Sequence, residues 1–343
     1  MTRVSRTRLL VLAIGVAYVL SAASEPLSLV FAGDIMLDDG PGRLIARGGD
    51  PLAGVAALLA GADYAIGNLE CPIATVGKPL ESKIASFRAH PRVLETLAGR
   101  FAALGVANNH SGDYGRDAFR QTLDLVTGHG IAVFGGGENL AAAHRPLLID
   151  ADGLRIAVLA YNEFKPRCFE AGADWPGIAW SEDTQVIADI RAARRAGARI
   201  VIPFMHWGWE REAQPSLRQR QLARAMIDAG AELVVGGHPH VTQGAEYYRG
   251  KLIVYSLGNF VFDGFDYPAA RTGWLLRLKL DGKGLLAWDT VVVDIDEHGS
   301  PRPRPDLPSP CGLRGDLQIR ECRPAVDEPS RRPQAGLQEP TSR

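Results

Sequence analysis

Two histidines separated by one proline, His238 and His240, follow a short apolar stretch and a Gly-Gly pair at residues 234–240. Imidazole is the commonest metal-binding side chain near neutral pH. Glycine permits a tight turn, so the chain can bring both rings back toward one point. A His-x-His pair in a loop is also a common solvated turn. The pair therefore predicts a metal site only if other ligand-type residues follow neighbouring strands.

Such residues do follow predicted strands. One pattern occurs three times: a predicted helix ends in Gly-Ala, and one polar residue, a strand and a polar cluster follow. The glycines are Gly61, Gly197 and Gly230. Glycine suits a left-handed helix cap, and this alternation is typical of α/β units. Ligands of open α/β sheets bind beyond the carboxyl ends of the strands. The ligand-type residues at predicted strand ends are Asp34, Asn68, Glu70, Asn109, His110, His206, His238 and His240.

This donor set predicts divalent metal chemistry. Mixed oxygen and nitrogen donors suit Mn, Fe, Zn or Mg better than Cu(I), which favours sulfur. A site on strand ends also suits two-metal chemistry, in which a shared carboxylate holds ions about 3.5–4 Å apart. Each member has a structural alternative: Asp34 could cap a helix, the asparagines could be turn residues, His206 could be a core histidine and Glu70 a surface charge. Their shared position at strand ends favours the metal site.

The composition indicates the class of protein, and the N-terminal sequence indicates its cellular location. A net charge of -1 gives no support for a nucleic-acid partner, and 46% hydrophobic with 22% charged residues is ordinary for a globular protein. Arginines precede an apolar run at residues 9–20, and small residues follow at 21–23. This pattern is typical of a secretory signal peptide and is shorter than the roughly 20 residues of a membrane span. We expect an exported, periplasmic or cell-envelope protein, with residues 1–23 either cleaved or retained as an N-terminal membrane anchor.

The remaining chain divides at about residue 299. Residues 24–298 carry the α/β pattern, whereas residues 299–343 are rich in proline and arginine without apolar periodicity, which predicts a disordered tail. Residues 83–88 fit a strand. Four cysteines suit an exported protein. Cys311 and Cys322 could close a small loop, but the sequence leaves the pairing open.

Six segments carry ligand-type or flanking residues of the predicted site. They are Gly-Asp-Ile-Met at 33–36, Gly-Asn-Leu-Glu at 67–70, Ala-Asn-Asn-His at 107–110, His-Trp-Gly-Trp-Glu at 206–210, Gly-His-Pro-His at 237–240 and Tyr-Ser-Leu-Gly-Asn-Phe at 255–260. Together they resemble the bacterial capsule synthesis protein family CapA, also known as the poly-γ-glutamate biosynthesis or PgsA-like family, over roughly residues 28–295. That family in turn resembles the calcineurin-like metallophosphoesterases, which implies a four-layer α/β/β/α sandwich with mixed sheets and a centre of one or two divalent ions (Mn, Zn, Fe or Mg).

The resemblance implies roles for individual residues. Glu70 is the preferred bridging ligand, and His110 is the catalytic residue that contacts a phosphoryl oxygen or protonates the leaving group. Met36 stands where the phosphoesterase motif Asp-x-His has its histidine, so one ligand is missing. The implied metal ligands are Asp34, Asn68, Glu70, Asn109, His206, His238 and His240. The substrate-binding candidates are Trp207, Glu210 and Asn259. The aromatics Trp207, Trp209, Phe260 and Phe262 could line a groove or pack in the core.

These expectations support one main function and two alternatives. The main hypothesis is an exported CapA-like protein in the biosynthesis or export of a capsule or poly-γ-glutamate-type polymer, with a metal-dependent hydrolase-type site. Its partners would be an anionic cell-surface polymer or a phosphoester substrate, and a membrane polymer-synthesis complex. The first alternative is a general metallophosphoesterase that acts on phosphate esters. The second is a non-catalytic polymer-binding scaffold in which the altered first motif has removed the chemistry.

Overall fold

A computed structural model of the chain describes residues 25–81, 83 and 85–324. The predicted signal peptide and the end of the predicted tail lie outside this range. Within it, no helix is long and apolar enough to cross a membrane. The helices are α1 (Asp39–Ala46), α2 (Ala56–Ala60), α3 (Leu94–Leu97), α4 (Gly115–Gly128), α5 (Leu140–Ala143), α6 (Asp183–Arg195) and α7 (Leu217–Ala229).

The strands form two large mixed sheets and one small ribbon. They are β1 (Leu27–Ile35), β2 (Tyr64–Leu69), β3 (Ala103–Gly105), β4 (Ala132–Phe134), β5 (Gly136–Gly137), β6 (Leu147–Ala151), β7 (Leu154–Asn162), β8 (Gly177–Ile178), β9 (Ile200–His206), β10 (Leu233–Gly237), β11 (Thr242–Tyr248), β12 (Lys251–Leu257), β13 (Asn259–Val261), β14 (Thr272–Asp281), β15 (Gly284–Ile295), β16 (Pro301–Pro303), β17 (Ser309–Leu313) and β18 (Arg320–Cys322).

The first large sheet has the order β18-β17-β15-β14-β1-β2-β3-β4, with β13 beside β1 and β16 beside β15. Its strands β1 to β4 are parallel, and β14 joins β1 antiparallel. The second sheet has the order β11-β12-β10-β9-β7-β6, with a parallel centre and antiparallel edges. Strands β5 and β8 form the ribbon. Both large sheets are therefore mixed.

Alternating side chains place these sheets in the middle of four layers. In β1, Leu29 and Phe31 enter the core between the two sheets, whereas Val30 packs toward the layer of α1 to α4. In β9, Ile202 enters the inter-sheet core and Val201 packs against α6 and α7. Successive strand residues point to opposite faces, so each sheet separates two cores. The three cores give the predicted α/β/β/α sandwich, which is confirmed.

Capping residues in the sequence bound helix α7, which precedes the strand that leads to the histidine pair. Ser216 caps its N-terminus: the Ser216 hydroxyl accepts from the backbone N–H of Gln219, and the Gln219 side chain accepts from the backbone N–H of Ser216. The helix ends at Gly230, which is left-handed with φ 114°. This is the predicted glycine cap. The following strand β10 then delivers the histidine pair.

The structure corrects the predicted disordered tail. Residues 301–322 contain β16, β17 and β18, and the first two pair with β15. Cys311 and Cys322 form a disulfide, and the Thr290 hydroxyl donates to Pro310 O at 2.9 Å. Edge pairing uses backbone groups, which a proline-rich segment still offers, so the missing apolar periodicity was a poor guide. The folded unit therefore continues past the predicted boundary at residue 298.

Candidate metal centre

The predicted site residues meet where both large sheets present the carboxyl ends of their parallel strands. Asp34 on β1 pairs in register with Asn68 on β2, and Glu70 follows directly after β2. On the second sheet, His206 at the end of β9 pairs with Gly237, the last residue of β10. The loop after β3 carries Asn109 and His110, and the turn after β10 carries His238 and His240.

Four donor atoms converge around the ring of His206. Its Nε2 lies 2.7 Å from Asn109 Oδ1, 3.1 Å from His238 Nδ1 and 3.4 Å from Glu70 Oε1. Donor atoms that each lie about 2.1 Å from one ion are separated by roughly 3.0–3.4 Å. Two of the three distances lie in this range and the Asn109 distance is shorter, so these four side chains lie close enough to share a divalent ion after a small adjustment of Asn109.

A second, poorer group of donors shares Glu70 with the first. His240 Nε2 lies 3.8 Å from Glu70 Oε1, and Asp34 lies near the other edge of the ring, with its Oδ2 3.6 Å from Nδ1. Among the described residues, two triads place their donor atoms within 4.8 Å of one another, namely Glu70 with His238 and His240, and Asp34 with Glu70 and His206. Glu70 is common to both triads, which is the arrangement expected of the predicted bridging ligand.

Unpartnered buried atoms test whether these residues fit a metal. Both carboxylate oxygens of Glu70 and Nε2 of His238 are buried without a hydrogen-bond partner in the part of the chain that the structure describes. A buried polar atom without a partner is costly, and a buried carboxylate is more costly still. A cation beside Glu70 would satisfy its carboxylate, which is the more costly of the two groups, so the residues fit a metal ion.

Electrostatics support the same fit. Burial raises the pKa of Asp34 and raises the pKa of Glu70 well above its usual range, with the neighbouring Asp34 adding to the second shift. Burial also lowers the pKa of His206 and the pKa of His238 well below the usual value. A metal ligand must be an ionised carboxylate or a neutral imidazole. Burial thus favours the neutral imidazole at His206 and at His238, and a divalent ion would supply the charge that the carboxylates need.

The turn that carries the histidine pair is strained at the histidines themselves. His238 has φ 94° and His240 has φ 56°, which is the left-handed region that non-glycine residues rarely occupy. The His238 backbone N–H donates to Asp34 Oδ2 at 3.1 Å and ties the turn to β1. Gly237 allows this approach, because a Cβ there would lie 2.8 Å from Asp34 Oδ1. The glycine pair thus permits close strand packing, and the tight turn that the sequence predicted falls on the histidines.

Two predicted site residues hold other residues in place. The Asn68 amide donates to Asp34 Oδ1 at 2.8 Å, and its oxygen accepts from Asn108 at 2.9 Å, so this side chain orients Asp34 and has no oxygen free for a metal ion. Asn259 is fully buried and accepts from His240 Nδ1 at 2.8 Å. That bond leaves Nε2 of His240 as the ligand atom. The predictions of Asn68 as a ligand and of Asn259 as a substrate contact are therefore wrong.

Trp207 is also not a substrate contact. It is fully buried in the core between the second sheet and its helices, and its indole N–H donates to Tyr255 O at 2.9 Å. It follows His206 directly, so it points to the opposite face of the sheet. Trp209 is 66% exposed. Its ring meets Phe164 edge-on at 5.9 Å, and Phe164 lies 4.0 Å from the His238 ring.

Other predicted members of the site divide between rim and core. Glu210 is exposed beside Trp209 and so remains a candidate substrate contact. Phe262 lies 5.1 Å from the His240 ring, whereas Phe260 is fully buried in the core. Met36 is fully buried in the helix-side core, and its sulfur accepts from the Asp38 backbone N–H at 3.2 Å. Met36 therefore supplies no ligand to the weaker donor group.

Two residues that the sequence did not single out for chemistry support His110. His110 Nδ1 lies 2.8 Å from Asp113 Oδ2, and Asp113 also forms an ion pair with Lys83. Burial lowers the pKa of His110, and the Asp113 carboxylate partly opposes this. The sequence feature that could have identified Asp113 as a partner of His110 is its position three residues later in the chain. Lys83 belongs to the segment 83–88, for which the sequence predicts a strand. That prediction is wrong for the described residues, because 83 and 85–88 form no strand.

Comparison with known proteins identifies the family. Residues 28–264 match the sequence model described as the bacterial capsule synthesis protein PGA_cap. The PGA biosynthesis protein CapA of Bacillus subtilis (strain 168) is 33% identical over 287 residues, which cover 80% of this chain and 73% of the relative. The capsule biosynthesis protein CapA of Bacillus anthracis is 32% identical over 301 residues, which cover 84% and 72%.

A solved structure shows a more distant likeness. The NAD nucleotidase of Haemophilus influenzae aligns with 81% of this chain and 53% of its own, at 12% identity and a TM-score of 0.46, which is too distant to indicate a function. The sequence motifs and the family match agree with each other over most of the folded chain. The chain belongs to the bacterial capsule synthesis protein PGA_cap family.

Proposed function

We propose that this chain is an exported protein of capsule or poly-γ-glutamate-type polymer biosynthesis that carries a metal-dependent hydrolase site. The curated relatives named for PGA and capsule biosynthesis support the process. The observation that carries the chemistry is the buried carboxylate of Glu70, which has no hydrogen-bond partner among the described residues and lies between the two groups of histidines. Its substrate would be an anionic cell-surface polymer or a phosphoester, taken alone or within a membrane polymer-synthesis complex.

The proposed ligands form two groups, which would hold one or two divalent ions. Glu70, Asn109, His206 and His238 form the better donor group, and Asp34 with His240 and the shared Glu70 form the poorer one. When bound, such ions polarise a phosphoryl or acyl oxygen and make a water molecule a better nucleophile. Because Met36 leaves the second group with three donors, we expect its ion to bind more weakly.

His110 is placed to move the proton that the leaving group needs. Its Nδ1 is held by Asp113, so Nε2 is the atom that exchanges a proton with substrate. Asp113 is balanced by Lys83 in an ion pair. Asp34 and Glu70 therefore carry the two negative charges that face the ions. One divalent ion balances them, and a second leaves a positive site that suits an anionic substrate.

A paired assay tests this function. The full chain, loaded with Mn²⁺ or Zn²⁺, is incubated separately with poly-γ-glutamate and with a small phosphodiester such as bis(p-nitrophenyl) phosphate. We expect metal-dependent cleavage of the polymer that is lost in both His110→Asn and His238→Ala, with bound metal retained only in His110→Asn. Equal activity in wild type and His238→Ala would overturn the proposed site.

The same assay separates the two alternatives. Robust turnover of the small phosphodiester with an intact polymer would favour a general metallophosphoesterase, for which the charge balance of the site is also suitable. Polymer binding without bound metal or cleavage would favour a scaffold, for which the loss of a ligand at Met36 is the supporting observation. We weight the capsule function above both because the family match and the donor geometry agree.

Export is the second part of the proposal. The arginines and the apolar run at residues 9–20 support it, and the disulfide between Cys311 and Cys322 suits an oxidising compartment. Cell fractionation and N-terminal sequencing of the full-length product test it. A cleaved periplasmic or cell-envelope protein would begin at Ser24, and a retained anchor would keep the intact N-terminus in the membrane fraction. A cytoplasmic protein with an intact N-terminus would refute export.

A further inference from the structure

Lys83 places an ammonium group against the loop that carries Asn109 and His110. Its side chain is 13% exposed and forms an ion pair with Asp113. The ammonium also donates to the backbone oxygen of Asn109 at 2.8 Å and lies 3.3 Å from His110 Nδ1. These contacts are all internal to the protein. At least two of the three ammonium donors are therefore used within the protein, one on the Asn109 carbonyl and one on the Asp113 carboxylate.

Asp113 explains why the ammonium is needed. The carboxylate is fully buried; one oxygen accepts from Lys83, and the other meets His110 Nδ1 at 2.8 Å and accepts from the Phe87 backbone N–H at 2.8 Å. Leaving a buried charge without its partner is strongly destabilising. The Phe87 ring in turn lies 4.7 Å from the His110 ring. Lys83 and Phe87 thus hold Asp113 from the same segment, and Asp113 holds His110.

We propose that Lys83 is a positioning residue that fixes Asn109 and His110 through the Asn109 carbonyl and the Asp113 carboxylate. The role of His110 in turnover rests on the proposed function, whereas the arrangement itself can be measured without metal or substrate. Loss of the ammonium frees one Asp113 oxygen and removes a donor from the Asn109 carbonyl. Asn109 Oδ1 and the His110 ring then lose their fixed positions.

The experiment compares Lys83→Met and Lys83→Arg with Lys78→Met, which removes an exposed lysine of the same segment. Proton NMR of the metal-free full chain follows the downfield Nδ1 proton of His110, assigned by its absence in His110→Asn. We expect this resonance in wild type, Lys78→Met and Lys83→Arg, and its loss or broadening in Lys83→Met. Thermal unfolding establishes that each variant is folded.

Co²⁺ titration supplies a second readout besides turnover. We expect Lys83→Met to bind Co²⁺ about tenfold more weakly than wild type, as is usual when a residue that orients a ligand is removed. We expect Lys83→Arg to restore most of the affinity. In turnover, kcat should fall in Lys83→Met with little change in KM, because the proposed role of Lys83 is to position His110 rather than to bind substrate.

The outcomes separate this inference from the proposed function. A wild-type His110 resonance together with unchanged Co²⁺ affinity in Lys83→Met would overturn the role of Lys83. If Lys83→Met does not fold, Lys83→Gln replaces it, because this variant keeps a hydrogen-bond donor without the charge. We expect Lys83→Gln to show a weaker His110 resonance and weaker Co²⁺ binding. Wild-type values for both in Lys83→Gln would overturn the role of Lys83. If wild type binds no Co²⁺, the proposed function fails while the NMR comparison still tests Lys83.

Discussion

Glu70 Oε1 lies 3.4 Å from His206 Nε2, and this pair joins the two sheets at their shared carboxyl edge. Glu70 follows β2 of the first sheet, and His206 ends β9 of the second. The Glu70 carboxylate is buried and unpartnered within the described chain, and the His206 ring is in contact with Asn109 and His238. An ion held between them would therefore bind the sheets together as well as serve the chemistry.

The Glu70→Gln variant should change how stability depends on pH. Folded metal-free protein keeps protons on Asp34 and Glu70 that the unfolded chain releases, because burial raises both pKa values. Its free energy of unfolding should therefore fall as pH rises above the usual carboxyl range. Glu70→Gln removes one of these groups, so its stability should decline less steeply. Urea unfolding in EDTA between about pH 5 and about pH 8 measures this.

The same variant should respond differently to metal. Wild type should gain stability when Mn²⁺ or Zn²⁺ is added, because the ion binds only the folded state. Glu70→Gln should gain little, since the shared ligand is gone. His144 is away from the site and hydrogen-bonds Asp189 at 2.8 Å, so His144→Gln provides a control that should retain the metal effect. Identical pH profiles and identical metal effects in wild type and Glu70→Gln would contradict the assignment.

The two neighbouring tryptophans should have opposite effects. Trp207→Ala leaves a large cavity beside Tyr255 and should lower the free energy of unfolding by about 3–5 kcal/mol. Trp209→Ala removes an exposed ring and should change it by less than about 0.5 kcal/mol. Urea unfolding of both variants tests the contrast. A larger loss of stability in Trp209→Ala than in Trp207→Ala would show that the burial is assigned wrongly.

The two free cysteines should differ in reactivity. Burial raises the pKa of Cys71 to about 12, whereas Cys168 is exposed. Since the thiolate is the reactive form, iodoacetamide at about pH 8 should label Cys168 in the folded protein and label Cys71 only after unfolding. Mass spectrometry of digested protein measures both sites. Comparable labelling of Cys71 in the folded state would contradict its burial.

The sequence predicts the location of the site better than the role of each residue. Asp34, Glu70, Asn109, His206 and the histidine pair all follow apolar strands, and parallel strands bring their carboxyl ends to one edge. That reasoning needs only the order of helices and strands along the chain. Side-chain direction explains part of the remainder. His206 and Trp207 are adjacent, so one faces the site and the other the opposite core.

Long-range contacts account for the other misses. Asn108 holds Asn68, which in turn orients Asp34, and Asn259 orients His240; none of these bonds is local in sequence. Lys83 lies 30 residues before Asp113, and the described residues around it belong to no helix or strand. The predicted disordered tail failed for a related reason, because β16 and β17 are stabilised by pairing with β15. The spacing of apolar residues within one segment does not predict contacts with residues that are distant in the sequence.

Metal analysis tests the central claim most directly. The full chain and its His238→Ala variant are equilibrated with Mn²⁺ or Zn²⁺, freed of unbound ions and measured by inductively coupled plasma mass spectrometry, with Trp209→Ala as a control at the exposed rim. We predict at least one tightly held ion per chain in wild type and in Trp209→Ala, and loss of that ion in His238→Ala. Absence of bound metal in wild type, or equal content in His238→Ala, would contradict a metal centre built on Glu70 and the histidines.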